Sequence, residues 1–302
     1  MIPAAFDYEV AESVDHAIHL LGRDPDVKLL AGGQSLLPAM RLRIARPTKL
    51  VDVGRLGDLS FVRDDGDTIA VGALTRHADV ATNAILREHC PILAYAAGQV
   101  GDPQVRHRGT LGGSVAHGDP AGDMPTVVLT LGAELVIRGT EGGGGGASKV
   151  PPHMAASGHV EATGEHVVPA GEFFTGVFQT ALGPGEMLTE IRVPKLGPET
   201  GWSYVKMSRR AQDWATVAVA ALVERSNGSL SKAAIGLTNM GGTPLRATAA
   251  EKAIAGGGSV HDAAALMAEG TEPPTDHAAS SDYRRHLVRV LGRRALEEAA
   301  AR

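Results

Sequence analysis

The chain carries at residues 30–38 the sequence Leu30-Ala31-Gly32-Gly33-Gln34-Ser35-Leu36-Leu37-Pro38. Residues 28–31 predict a short buried strand that runs directly into two glycines, and a hydroxyl side chain follows. Because glycine has no Cβ and tolerates positive φ, successive backbone N–H groups can converge there on an anion such as a pyrophosphate. The same pattern also fits an ordinary turn after a strand, so the stretch alone leaves both interpretations open.

A second glycine pair occurs further along the chain, in Arg108-Gly109-Thr110-Leu111-Gly112-Gly113-Ser114. Hydroxyl residues again lie on both sides of the glycines, and the surrounding Gly101–Gly118 predicts a loop. Two such loops in one half of a chain can enclose one diphosphate from both sides, or they are two unrelated tight turns. If both loops hold a ligand, Gly33→Val and Gly112→Val are each predicted to abolish binding and to leave much of the fold intact.

Working outward from the first motif, the hydrophobic pattern predicts three regions. The first is a β–α–β-like unit over residues 1–58, with a helix on each side of the strand that enters the motif. The second, residues 59–196, has strands at 68–72, 133–138 and 186–193 with helices at 75–83, 92–100 and 123–131. Within it, Thr140–Gly164 contains five consecutive glycines and two prolines and predicts a flexible insertion.

The third region, residues 197–302, changes to strands typical of an antiparallel sheet, followed by helices. The middle strand, Thr216–Glu224, is ambiguous with a helix because of its alanines. The predicted strands and helices are 202–207, 216–224, 231–237, 247–255, 261–267 and 282–302.

Composition excludes several classes of protein. The chain has 302 residues, 43% of them hydrophobic, and a formal net charge of −5. An acidic chain with only 4% aromatic residues has neither the basic surface nor the stacking rings that nucleic-acid binding requires. No segment approaches the roughly 20 apolar residues that span a bilayer, and Met1–Asp7 does not resemble a secretory signal. We therefore expect a cytoplasmic protein without a transmembrane segment.

The chain contains one cysteine, Cys90, which is expected to be a buried thiol. One cysteine cannot supply the roughly four thiolates that an iron–sulfur cluster needs. His107, His117 and Asp119 lack the spacing of zinc ligands, and no metal site is predicted. The nearest approach to a dinucleotide fingerprint, Gly142-x-Gly144-x-x-Ala147, is followed by two prolines and cannot open the required helix.

Taken together, the two glycine motifs and a third stretch, Ser208-Arg209-Arg210-Ala211-Gln212-Asp213, resemble the FAD-binding medium subunit of molybdenum hydroxylases. This family includes the flavoproteins of bacterial carbon monoxide dehydrogenase and xanthine dehydrogenase, and the resemblance covers nearly the whole chain. It implies an α+β architecture, in which a two-subdomain FAD-binding fold of the vanillyl-alcohol oxidase and MurB-like type precedes a C-terminal domain with an antiparallel sheet and helices.

The resemblance also implies which residues contact a non-covalent FAD. Asp123 matches a carboxylate near the flavin chain, although it also fits a helix cap. Lys206 matches a lysine near the cofactor, although it also fits an exposed strand residue. The residues implied are Leu30, Ala31, Gly32, Gly33, Gln34, Ser35, Leu36, Leu37, Thr110, Leu111, Gly112, Gly113, Ser114, Asp123, Leu188 and Lys206.

The function that the resemblance implies is electron transfer, most like that of the medium subunit of aerobic carbon monoxide dehydrogenase. A large molybdopterin-binding subunit would oxidise the substrate, and a small 2Fe-2S subunit would pass electrons to this FAD. The implied assembly is a dimer of heterotrimers, and the final acceptor stays open between a quinone, NAD and dioxygen. No general acid or base is predicted, because the flavin carries the chemistry.

Two other functions also fit the residues. One is a self-contained flavin oxidase or reductase of the same fold, and the other is an assembly subunit that has lost its cofactor.

Overall fold

A computed structural model describes residues 2–139, 164–226 and 229–302. The N-terminal unit is a three-stranded parallel sheet in the order β1-β3-β2. Its strands are β1 (Asp7–Val10), β2 (Val27–Leu30) and β3 (Lys49–Asp52), and its helices are α1 (Val14–Leu21) and α2 (Leu36–Arg41). The β–α–β unit predicted for the first region is therefore present, and β1 is a strand that the sequence pattern did not reveal.

The second unit is a five-stranded antiparallel sheet in the order β4-β5-β10-β6-β7. Its strands are β4 (Val62–Asp65), β5 (Thr68–Gly72), β6 (Glu134–Gly139), β7 (Gly164–Pro169) and β10 (Met187–Pro194). The predicted flexible insertion, Thr140–Gly164, lies outside the described residues except for Gly164, which begins β7.

Short helices follow β5 in this unit and bury its main apolar core. They are α3 (His77–Thr82), α4 (Ala84–His89), α5 (Pro91–Gly98), α6 (Pro103–Arg108), α7 (Leu111–His117) and α8 (Asp123–Thr130). After β7, helix α9 (Ala170–Phe173) leads into a small hairpin of β8 (Phe174–Gly176) and β9 (Gln179–Thr180).

The loop predicted over Gly101–Gly118 is wrong, because most of this stretch is helical. Asp102 caps α6 by accepting a hydrogen bond from the Val105 N–H, and a proline occupies the first position of that helix. Thr110 caps α7 in the same way. Glycines inside a helix suggest a loop by propensity, but here the caps and tertiary packing override that preference.

The C-terminal unit is a four-stranded antiparallel sheet in the order β11-β12-β13-β14, covered by helices. Its elements are β11 (Thr200–Met207), β12 (Val217–Ser226), β13 (Ser229–Thr238), β14 (Leu245–Arg246), α10 (Thr248–Ala255), α11 (Val260–Ala265) and α12 (Ser281–Ala301).

The ambiguous segment Thr216–Glu224 is the central strand β12, and both of its faces are buried. Ala218 and Ala220 point into the core of the second unit, whereas Val217 and Val219 pack under the C-terminal helices. Ala218 and Ala220 lie where the two units approach closely, and Ala221 lies on the opposite face, under the C-terminal helices. Each of the three predicted regions contains one of the large sheets, and their boundaries near residues 58 and 196 stay predictions.

Candidate functional site

A cavity of about 930 Å³ lies where the three units meet. Its wall begins beside the start of β2, passes both glycine motifs, and ends at residues from α8, β10 and β11. Most of the residues predicted for the site lie on this wall: Ala31, Gly32, Gly33, Gln34, Ser35, Leu36, Thr110, Gly112, Gly113, Ser114, Asp123, Leu188 and Lys206.

Three predicted residues do not line the cavity. Leu111 is the first residue of α7, and its side chain is completely buried. Leu37 points outward from α2, with 38% of its surface exposed. Leu30 ends strand β2 behind the first motif, where its side chain and that of Leu37 approach the position of Gly33. These leucines support the wall from behind.

The first motif forms an open turn between β2 and α2. Gly33 has a φ of +74°, in the left-handed region that side chains disfavour. Within the described residues, the backbone N–H groups of residues 32–35 donate to no protein acceptor. The Ser35 hydroxyl, at the start of α2, makes no capping hydrogen bond either. The motif thus presents adjacent hydrogen-bond donors at the cavity wall.

The two motifs contact each other through their glycines. A Cβ on Gly32 would lie 2.5 Å from the Arg108 carbonyl oxygen and 2.7 Å from the Gly109 Cα. On the facing side, a Cβ on Gly113 would lie 3.9 Å from the Ala31 Cβ. Any side chain at Gly32 would push the motifs apart, so the sequence pattern correctly predicts that they come together.

The backbone N–H groups of the second motif, unlike those of the first, donate hydrogen bonds within the protein. The N–H of Leu111 donates to the Thr75 carbonyl (2.9 Å), and the N–H of Gly112 donates to the Ala73 carbonyl (2.8 Å). The Gly113 N–H donates to the Thr110 hydroxyl at 3.1 Å. These amides are already hydrogen-bonded within the protein, so of the two glycine motifs only the first presents amides without a protein acceptor within the described residues.

Gly112 is required for packing. A Cβ there would lie 2.4 Å from the Ala73 Cβ and 2.6 Å from the Ala73 carbonyl oxygen. Helix α7 therefore lies directly against the segment that follows β5, and the second motif contributes a rigid surface to the cavity.

A buried ion pair lies at the far end of the cavity. The Lys206 Nζ is 2.8 Å from the Asp123 Oδ2, and each side chain is only 7% exposed. The Tyr204 hydroxyl donates to the other carboxylate oxygen, and Lys206 also donates to the Gln99 carbonyl at 3.1 Å. Burial raises the pKa of Asp123, with Lys206 opposing that shift, and it raises the pKa of Tyr204 well above its usual value.

The structure excludes one of the two interpretations that the sequence left open for each residue of this pair. Gly122 is the residue at the N-cap position of α8, so Asp123 is not a helix cap. Because Lys206 is almost fully buried, it is not an exposed strand lysine.

His77 belongs to the site and was missed. It begins α3, is 3% exposed, and lines the cavity beside Gly109. Burial, with a smaller contribution from the Arg106 charge, lowers the pKa of His77 to about 4, so the ring is neutral at pH 7. Its Nδ1 is buried without a hydrogen-bond partner among the described residues. A single histidine at a helix start carries no sequence signal that distinguishes this role.

Aromatic side chains also line the cavity. The ring centroids of His117 and Phe178 are 5.0 Å apart, and Trp214 lies on the same wall. Cys90 is buried as expected, and burial raises its pKa to about 12. The described ranges contain no group of His, Cys, Asp or Glu side chains arranged to hold a metal ion.

Two protein-family models match the chain, one over the N-terminal unit and much of the second, and the other over the C-terminal unit. Residues 4–147 match the FAD binding domain in molybdopterin dehydrogenase, and residues 202–299 match the CO dehydrogenase flavoprotein C-terminal domain. The fold and the site thus define an FAD-binding subunit of an oxidoreductase. None of the helices in the described ranges has the length and hydropathy needed to cross a bilayer.

Full-length relatives identify the family. The chain is 36% identical to the carbon monoxide dehydrogenase medium chain of Hydrogenophaga pseudoflava over 307 residues, covering 100% of this chain and 99% of the relative. It is 37% identical to the 6-hydroxypseudooxynicotine dehydrogenase complex subunit alpha of Paenarthrobacter nicotinovorans, covering 100% and 97%. The structure of reconstituted CO dehydrogenase from Oligotropha carboxidovorans superposes with a TM-score of 0.90, at 36% identity over 100% of both chains.

The chain belongs to the family of FAD-binding medium subunits of molybdenum hydroxylases. The predicted fold class, cofactor and oxidoreductase class are confirmed. The relatives are subunits of dehydrogenases and hydroxylases, which agrees with the electron-transfer hypothesis and not with a self-contained flavin oxidase.

Proposed function

We propose that this chain holds one FAD along the cavity, with the diphosphate on the backbone N–H groups of residues 32–35. The observation that carries this proposal is that these four adjacent donors, together with the Ser35 hydroxyl, have no protein acceptor within the described residues. Donors at a cavity wall that no protein acceptor uses are available to a ligand, and an anion can accept hydrogen bonds of about 1.5–3 kcal/mol each from them. The positive φ of Gly33 is what exposes them.

The second motif forms the opposite wall in this proposal. Gly113 lets helix α7 approach Ala31, and Gly112 lets it lie against Ala73. Thr110 caps the helix, and the Ser114 side chain contributes a hydroxyl on the cavity side. Leu36 contacts the cofactor from the first motif. Leu30, Leu37 and Leu111 act through packing, because they lie behind the wall.

We place the ring system of FAD at the end of the cavity formed by Leu188, Asp123 and Lys206. Leu188 offers an apolar surface, and Lys206 is held by Asp123 so that its charge is available without being hydrated. When bound there, the flavin supplies the redox chemistry. The chain orients it, excludes water from it and fixes the charge beside it.

The proposed partners follow from what this chain lacks and from its family. It has a single cysteine, so the iron–sulfur clusters that feed its flavin belong to another polypeptide. We propose a small 2Fe-2S subunit and a large molybdopterin-binding subunit, assembled as a dimer of heterotrimers in the cytoplasm. Electrons would pass from substrate through the clusters and this FAD to an external acceptor. The names of the relatives as medium chains of dehydrogenases support this assembly.

Purification from the native host at endogenous levels tests the proposal. We expect the chain to co-purify with two other polypeptides, iron and molybdenum, and to release FAD rather than FMN on denaturation. Expressed alone, the chain should contain neither metal. Isolation of a lone, fully active flavoenzyme without metals would contradict the assembly, and release of FMN alone would contradict the cofactor.

A further inference from the structure

A strained aromatic residue lies at the mouth of the cavity. Phe178 and Val177 connect β8 to β9, and Phe178 has a φ of +54°. This left-handed conformation is rare for a bulky residue, and glycine or asparagine would adopt it more easily. Strain of this kind is concentrated at functional sites, where the side chain itself is needed.

The Phe178 ring is exposed although it faces the cavity. It is 56% exposed, and its packing on His117 covers one side. Trp214, from the loop between β11 and β12, is 64% exposed on the same wall. Two largely exposed aromatic rings at a cavity mouth form a surface for stacking a planar ligand.

The neighbouring tip residue provides an internal comparison. Val177 is also 56% exposed, but it does not line the cavity and instead approaches Gly242 of the C-terminal unit. Of the two exposed apolar residues in the hairpin, therefore, only Phe178 lines the cavity, and it is the one with the strained backbone.

We infer that Phe178 and Trp214, which line the same cavity, bind the planar ring of the external electron acceptor next to the flavin. This inference rests on the proposed function. The step transfers two electrons and two protons from reduced FAD to a quinone, which becomes a hydroquinone. If the acceptor is NAD⁺, it takes a hydride and the remaining proton goes to solvent.

A second cavity offers a way to distinguish a quinone from NAD⁺ as the acceptor. It has a volume of about 380 Å³, contains Arg106 and Arg210, and shares Gly101 and Gln212 with the main cavity. The phosphates of a dinucleotide would reach these guanidinium groups, whereas a neutral quinone would not need them. Asp102 is also on this wall, so the exposed Arg210 supplies the excess positive charge.

The experiment uses the assembled complex with wild-type chain, Phe178→Gly, and Val177→Ala as the matched control. Reduced enzyme is mixed anaerobically with menadione or NAD⁺, and flavin reoxidation is followed against acceptor concentration. Phe178→Gly should weaken the apparent affinity for the acceptor about tenfold. Val177→Ala should leave it unchanged. Binding to the oxidised enzyme, measured by quenching of tryptophan emission, should weaken by the same factor without turnover.

Further measurements keep the inference falsifiable. Phe178→Gly should retain full flavin content and a melting temperature no lower than that of the wild type, because glycine relieves the strain. Arg210→Ala should weaken only NAD⁺ if a dinucleotide is the acceptor, and neither ligand if it is a quinone. Unchanged acceptor affinity in Phe178→Gly, or loss of its flavin, would overturn the inference. A wild-type complex without FAD would instead contradict the proposed function.

Discussion

At residues 31–35 the glycines lie in an open turn whose N–H groups have no protein acceptor within the described residues, whereas at 110–114 they lie in the first turn of helix α7. Gly33 is left-handed, but Gly112 has an ordinary helical backbone. A Cβ at Gly33 would meet only flexible leucine side chains, whereas one at Gly112 would meet the backbone of Ala73. The two motifs look alike in sequence, yet one presents donors to a ligand and the other allows two elements to pack.

The comparison teaches that a glycine pair must be interpreted through its hydrogen bonds. The first motif is specialised for binding, so damage there should remove the ligand and spare the fold. The second is specialised for packing, so damage there should remove both. This differs from the expectation that substitutions in either motif leave much of the fold intact.

Gly112→Val should have the largest effect. Its side chain would clash with Ala73 backbone, which cannot move as a flexible side chain can. We expect a loss of about 4 kcal/mol or more in the free energy of unfolding, so that most of the chain is unfolded or aggregated. Urea denaturation followed by circular dichroism measures this, with Gly57→Val as control because its Cβ meets nothing within 4 Å. A normally folded Gly112→Val chain would show that the packing account is wrong.

Gly33→Val should come next, with FAD bound about a thousandfold more weakly, or roughly 4 kcal/mol. The valine opposes the left-handed backbone that exposes the amides, and its Cβ would lie 2.9 Å from the Leu37 side chain behind the motif. Flavin content of the purified complex, with the melting temperature of the same sample, is the measurement. Gly132→Val is the matched control, because Gly132 has a similar φ of +63° but lies off the cavity. Full flavin content in Gly33→Val would make the first motif an ordinary turn.

The packing of His77 against the second motif predicts how the stability of the chain changes with pH. Its backbone N–H donates to the Gly109 carbonyl, and its ring packs beside Gly109. The folded pKa of about 4 is below the usual 6.5, so the unfolded chain binds more protons between these values. His77 thus contributes stability that is present above pH 6.5 and is lost as pH falls toward 4, by roughly 3 kcal/mol at most.

Urea denaturation of wild type and His77→Gln at pH 7 and pH 4.5 isolates this contribution, since other titrating groups cancel in the difference. The wild type should lose more stability than the variant on acidification. Parallel losses in the two proteins would mean that His77 is not held neutral beneath the second motif.

Much of the site could be predicted because local sequence determines it. A strand entering Gly32-Gly33 predicts an exposed turn, and hydroxyl residues beside both glycine pairs indicate an anion ligand. The use of the Leu111 and Gly112 amides could not be predicted, because their acceptors lie at Ala73 and Thr75 on another segment. Only tertiary structure shows which donors are left free.

The cavity residues that the sequence did not predict were also determined by tertiary structure. His77 and Phe178 have ordinary neighbours in sequence, and they reach the cavity only because α3 packs on α6 and the β8–β9 hairpin packs on α7. Strand β12 was ambiguous because it is buried on both faces. Its apolar residues therefore do not alternate with polar ones, and such a run cannot be distinguished from a buried helix by local periodicity.

Hydrogen–deuterium exchange of the complex with and without FAD tests the central claim most directly. The amides of residues 32–35 should exchange at least about tenfold more slowly when FAD is bound, because the ligand gives them an acceptor. The amides of residues 111–113 should be protected already without FAD and should change little, since Thr75, Ala73 and Thr110 hold them. Equal gains in both segments, or no gain at residues 32–35, would contradict the account.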